Sequence, residues 1–69
     1  MRGMTLDEAR QRIESAMAQF GPQAGMAIDL IIKEVRGDQG NEAANELIDE
    51  FDLELYYNIP PVESLGSGD

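Results

Sequence analysis

The middle of the chain, residues 26–35, is apolar at seven of its ten positions. On a helix these seven side chains cover well over half of the circumference, with Asp29 and Lys33 on a narrow polar edge. A helix this apolar needs packing partners on more than one side. An Ile/Val-rich strand is the alternative, but the apolar residues do not alternate and the segment is too long. We therefore predict a central helix over about residues 22–36, with the other segments packed around it.

The segment before it has the signature of a helix N-terminus. Thr5 and Glu8 are spaced as a capping box, and periodic apolar residues follow. Gly21 and Pro22 suit the end of one helix and the first turn of the next. The predicted buried stripe of this first helix contains Leu6, Ala9, Ile13, Ala16, Met17 and Phe20.

A third helix is predicted after a turn at residues 37–40, with Asn41 as its N-cap. Its periodicity slips near Asp52, which we expect to cap a separate short helical turn. Pro60 and Pro61 then end regular structure. The predicted buried face of the third helix contains Ala43, Ala44, Leu47, Ile48 and Phe51.

These segments predict an all-α fold, a small antiparallel three-helix bundle with a short C-terminal helical turn. The second helix has more apolar surface than two short neighbours can cover, so we expect a homodimer. Residues 5–61 form the predicted domain. Residues 1–4 are expected to be a disordered N-terminus or a leader added for expression, and residues 62–69 a flexible tail.

Composition argues against catalysis, because the chain has no cysteine and no histidine. The usual nucleophile and base pairs therefore cannot form, and a 69-residue helical domain leaves little room for a pocket that shifts a carboxylate pKa. We expect neither an enzyme nor a cofactor. Without a membrane-length apolar run or a signal-peptide pattern, a cytoplasmic protein that does not engage a membrane is expected.

Charge is distributed unevenly along the chain. Residues 1–37 contain five acidic and five basic residues, whereas residues 38–69 contain nine acidic residues and no base, so the net charge of −9 belongs to the second half. The acidic face of the third helix has three interpretations: a solvated surface, a docking surface for a basic protein, or a divalent-cation site. The sequence lacks the EF-hand pattern.

The second and third helices have roughly the spacing of a helix-turn-helix. A recognition helix needs positive or amide-rich residues at its start, and this one is acidic, so direct nucleic-acid binding is not expected. An acidic helical domain that mimics nucleic acid and inhibits a DNA- or RNA-binding protein remains an alternative.

The apolar group after Asp52 also has two interpretations. It either folds back over the open end of the bundle, or part of it stays exposed as an anchor for a partner. The leading hypothesis is a small accessory or regulatory protein that binds a protein with a basic surface; divalent-cation or small-ligand binding is a further alternative. The predicted partner-binding residues are Glu42, Glu46, Asp49, Glu50, Leu53, Leu55, Tyr56, Tyr57 and Ile59.

Overall fold

A computed structural model of the chain describes residues 4–62, and this part of the chain is all-helical. The α-helices are α1 (Leu6–Phe20), α2 (Gly25–Gln39), α3 (Asn41–Glu50) and α4 (Leu53–Tyr57). A short 3₁₀ helix, Gly21–Gln23, connects α1 to α2. The predicted all-α class, with three main helices and a short fourth one, is thereby confirmed. No helix within residues 4–62 has the length and apolar character needed to cross a membrane.

The capping box at the start of α1 is present as predicted. The Glu8 amide donates to the Thr5 hydroxyl at 3.1 Å, and the Thr5 amide donates to the Glu8 carboxylate at 3.2 Å. The predicted stripe is buried at its centre, but Phe20 at its end is exposed. Gly21, at φ 57°, ends α1 directly after Phe20, which is 49% exposed.

Helix α2 packs against both α1 and α3, in the central position that the sequence predicts. Ile28, Ile32 and Val35 are its buried side chains. One side of the helix is uncovered, however, because Met26 is 80% exposed and Leu30 is 60% exposed. Within residues 4–62, neighbouring helices therefore cover α2 on two sides and leave the side with Met26 and Leu30 exposed.

The predicted boundaries of α2 need correction at both ends. Pro22 lies within the 3₁₀ helix rather than in α2, which starts at Gly25. The predicted turn at residues 37–40 is also wrong, since α2 continues through Gly37 to Gln39 and only Gly40, at φ 99°, leaves the helical conformation. Interior glycine costs a helix about 1 kcal/mol, which tertiary contacts can offset.

Those contacts tie the end of α2 to the beginning of the described chain. The Met4 amide donates to the Asp38 carboxylate, and the Gln39 side-chain amide donates to the Met4 carbonyl, both at 2.9 Å. Met4 is buried in the core. The sequence assigned Met4 to a disordered segment, whereas these contacts make it part of the folded domain.

Helix α3 begins without the predicted cap, because Asn41 is its first residue and Gly40 takes the N-cap position without a side-chain hydrogen bond. Ala44, Leu47 and Ile48 are buried as predicted.

The expected break is present: α3 ends at Glu50, and α4 starts at Leu53. Asp52 stands at the N-cap position of α4 in a left-handed conformation, at φ 52°, but its side chain makes no capping bond. Ala43 and Phe51, also predicted to be buried, are partly buried.

The end of the described chain is attached to α3 by a single side chain. The Asn45 amide donates to the Val62 carbonyl at 2.8 Å, and the Val62 amide donates to the Asn45 side-chain oxygen at 2.6 Å. Val62, which the sequence placed in a flexible tail, is therefore packed. The remainder of that predicted tail, residues 63–69, and residues 1–3 lie outside the described part of the chain.

Candidate functional site

In the structure, the apolar group after Asp52 contains both buried and exposed residues. Leu53 and Ile59 are buried in the core, so the predicted contact of these two side chains with a partner is corrected to a core-packing role. Leu55 is 76% exposed and Tyr56 is 67% exposed. Part of this group thus folds back over the bundle and part stays exposed, because one face of α4 packs on the bundle and the other does not.

Tyr57 connects α4 to the beginning of α2. Its hydroxyl donates to the Gly21 carbonyl at 3.0 Å, and its side chain is partly buried. The ring lies so close to Gly25 that a Cβ there would be 3.5 Å from Tyr57 Cδ1. Together with buried Leu53 and Ile59, this contact fixes the orientation of α4, so the exposed pair Leu55 and Tyr56 occupies a defined position.

The four predicted acidic residues of α3 are all exposed, but they do not have equal surroundings. Glu50 accepts hydrogen bonds from Arg10 Nε at 3.0 and 3.1 Å through its two carboxylate oxygens, and Arg10 also pairs with Asp7 at 3.3 Å. The hydrogen bond to Glu50 raises the pKa of the Arg10 guanidinium. Much of the Glu50 charge is thus compensated by α1, whereas Glu42, Glu46 and Asp49 remain directed to solvent.

A groove of about 630 Å³ lies between α3, α4 and the segment that follows α4. We call it the α3–α4 groove. It combines apolar surface with three carboxylates, and its lining within residues 4–62 contains no basic side chain. The lining residues are Asn45, Ile48, Asp49, Asp52, Glu54, Leu55 and Pro61.

A second depression, of about 440 Å³, also borders α4. It contains Tyr56 and has no charged side chain among its lining residues, which are Met17, Pro22, Phe51, Tyr56 and Tyr57. Leu55 and Tyr56 therefore border two different concave surfaces, one acidic and one apolar.

Asn45, Asp52, Glu54 and Pro61 line the α3–α4 groove but are not among the predicted partner-binding residues. The one local signal was Asn45, since asparagine is a poor helix former and its presence inside a helix often reflects a side-chain hydrogen bond. Its partner, Val62, is seventeen residues away, and local spacing does not reveal such a contact.

No cluster of acidic side chains within residues 4–62 supports the divalent-cation hypothesis. No three acidic side chains of this part of the chain come close enough together to hold a metal ion. The carboxylates of the α3–α4 groove are spread along its rim instead.

The chain has no match among protein-family models, curated proteins or solved structures. A functional assignment therefore rests on the surface around α4 and on the charge beside it.

Proposed function

We propose that this protein is a small cytoplasmic accessory or regulatory protein that acts by binding another protein. The observation that carries the proposal is the exposure of Leu55 and Tyr56, two large side chains that are neighbours on one short helix. Exposed apolar groups bordered by polar residues are typical of protein interaction sites, and tyrosine is enriched among the residues that dominate binding energy.

The attachment of α4 supports the same proposal. Within α4, the Leu53 side chain is buried in the core, and the Tyr57 hydroxyl is hydrogen-bonded to the Gly21 carbonyl. A side chain that is already held in place loses less conformational freedom on binding than one on a mobile segment. Leu55 and Tyr56 are therefore suited to act as anchors.

Acidic residues on α3 are expected to orient the partner by electrostatic attraction. Glu42, Glu46 and Asp49 are exposed on this helix. A surface of one sign attracts partners of opposite charge and raises the rate of encounter, mostly at low ionic strength. The proposed partner thus has a basic surface beside an apolar one.

The test is capture of a partner from the native lysate, followed by titration of the purified pair. The double variant L55A/Y56A removes the exposed pair, and M26A/L30A is the matched control because it removes two exposed apolar side chains from α2. We expect the first variant to lose the partner and the second to retain it, with both keeping wild-type helicity. Undiminished affinity of L55A/Y56A would refute the assignment of the anchor.

A nucleic-acid mimic is the second candidate. It is supported by the exposed carboxylates of Glu42, Glu46 and Asp49, which recur at helical spacing along one face of α3. Such a protein occupies the basic groove of a DNA- or RNA-binding protein, and its affinity falls steeply with salt. The test is competition: added DNA should displace the protein from the captured partner. Failure of DNA to compete, together with salt-insensitive binding, would reject this alternative.

We further propose that α1, α2 and α3 run antiparallel to their neighbours, as short connections between helices favour, and that two copies associate through α2. The exposure of Met26 and Leu30 supports the self-association.

A further inference from the structure

We propose that the α3–α4 groove binds a basic amphipathic segment of the partner. An aliphatic side chain of that segment would pack on Leu55 and Ile48, while its lysine or arginine side chains would pair with the carboxylates at the rim. This inference rests on the proposed function and specifies the chemistry of the partner.

The apolar part of the groove is suited to an aliphatic anchor. Ile48 belongs to the core and forms part of the groove lining, and Leu55 and Pro61 add exposed apolar surface beside it. The volume of about 630 Å³ is within the range of sites that enclose a ligand or an anchoring side chain. Burial of aliphatic groups here would supply affinity with little dependence on charge.

The negative charge of the groove favours a positively charged partner. Asp49, Asp52 and Glu54 line it without a basic residue among them. Arg10, the basic residue that contacts α3, is hydrogen-bonded to Glu50 and paired with Asp7. The negative potential of the groove is therefore uncompensated, which favours a cationic occupant and disfavours an acidic one.

The separation of these carboxylates favours a polypeptide over a metal ion. Among residues 4–62 they do not form a group that could ligate a metal, whereas lysine and arginine side chains spaced along a segment can reach each one separately. Nucleic acid would be repelled by the same charges.

The groove is already formed in the free protein. The two hydrogen bonds between Asn45 and Val62 hold the segment that contains Pro61 against α3. Because both walls are fixed before binding, little ordering of this protein is required when the segment docks.

The experiment is an NMR titration of the ¹⁵N-labelled protein with a short synthetic peptide that carries leucines at helical spacing and lysines between them. A second peptide has glutamine in place of every lysine. We expect the lysine peptide to shift the resonances of the Asn45 side-chain amide, Ile48 and Leu55, and to leave Met26 and Leu30 unchanged. The glutamine peptide should bind at least several-fold more weakly.

Charge variants distinguish the groove from the general acidity of the protein. D49N/D52N/E54Q removes the three groove carboxylates, and D7N/E14Q/E34Q removes three exposed carboxylates on α1 and α2, so the two variants have the same net charge. We expect about a tenfold loss of affinity for the lysine peptide in the first variant, the sum of three exposed ion pairs, and less than about a twofold change in the second.

Three results would overturn the inference: no binding of the lysine peptide, equal binding of both peptides, or equal effects of the two triple variants. None of these results bears on capture of the natural partner through Leu55 and Tyr56, which the L55A/Y56A variant tests separately. A failure of the groove chemistry is therefore distinguishable from a failure of the proposed function.

Discussion

Tyr56 and Tyr57 are adjacent in the sequence but have different surroundings. The Tyr57 side chain is partly buried, and its hydroxyl donates to the Gly21 carbonyl. Tyr56 is exposed, and no hydrogen bond of its hydroxyl is seen among residues 4–62. One tyrosine thus attaches α4 to the bundle, and the other is exposed at its surface.

This difference gives a paired prediction for stability. The Y57F variant loses the hydrogen bond to Gly21 and should unfold with a free energy lower by about 1 kcal/mol. The Y56F variant loses no such bond and should remain within about 0.5 kcal/mol of wild type. Urea denaturation followed by circular dichroism measures both. Equal destabilisation by the two variants would contradict the assigned orientation of α4.

Asn45 is the second residue whose role depends on a single contact. Its side chain both donates to and accepts from the backbone of Val62. We expect N45A to lose about 1–3 kcal/mol of stability, because removal of the amide leaves a partly buried backbone amide and carbonyl without that partner. The control is E42A, on the exposed face of the same helix, which should have little effect. Thermal unfolding of both variants tests this, and an unchanged N45A would contradict the contact.

At the scale of elements, α4 is bounded by two left-handed residues. Asp52 at φ 52° and Asn58 at φ 59° reverse the local path of the chain before and after the helix. Asparagine and aspartate tolerate this conformation better than other non-glycine residues. These two positions determine that Leu53 faces the core and that Leu55 does not.

The conformation at Asn58 gives a prediction at this scale. N58A places alanine in the left-handed region, where its Cβ lies too close to the following carbonyl oxygen, and should destabilise the protein by about 1 kcal/mol. N58G adopts the same conformation at low cost and should be close to wild type. Chemical denaturation of the two variants compares them directly. If alanine proved as stable as glycine, the left-handed end of α4 would be refuted.

The elements differ in how far the sequence determines them. The capping box of α1 and the phase slip before α4 are local patterns, and both correctly predict where a helix begins or breaks. The end of α2 is not local, because contacts of Asp38 and Gln39 with Met4 span 34 and 35 residues. Local propensity at Gly37 therefore predicts a turn that tertiary contacts override.

The candidate site likewise depends partly on local patterns and partly on long-range contacts. Exposure of the acidic residues of α3 follows from helical periodicity. The assignment of Leu53 to the core and of Leu55 to the surface requires the orientation of α4, which depends on the left-handed residues and on the contact of Tyr57 with Gly21 across 36 positions. The sequence therefore indicates the region of the site, but not which of its side chains are exposed.

At the scale of the whole molecule, the four most exposed large apolar side chains within residues 4–62 form two pairs, Met26 and Leu30 on α2 and Leu55 and Tyr56 on α4. Of these four residues, Leu55 lines the groove that contains carboxylates, and Tyr56 lines the apolar depression beside α4. We therefore propose self-association through α2 and partner binding through α4.

This assignment predicts the oligomeric state. Wild-type protein should be a dimer by size-exclusion chromatography with light scattering at micromolar concentration, because association removes the α2 pair from water. M26K/L30K should be monomeric with unchanged helicity, since charge at a self-complementary interface opposes itself. L55A/Y56A should stay dimeric. A monomeric wild-type protein would defeat this part of the account.

The central claim is that the chain from α4 to Val62 is packed on the bundle in the free protein, because both the exposed pair and the groove depend on it. Amide hydrogen exchange by NMR tests this most directly at Ile59, which donates to Leu53 at 3.2 Å, and at Val62, which donates to Asn45. We predict exchange at these two amides on the order of a hundredfold slower than in an unfolded chain. Exchange at the unfolded-chain rate there, with α1–α3 still protected, would contradict the account.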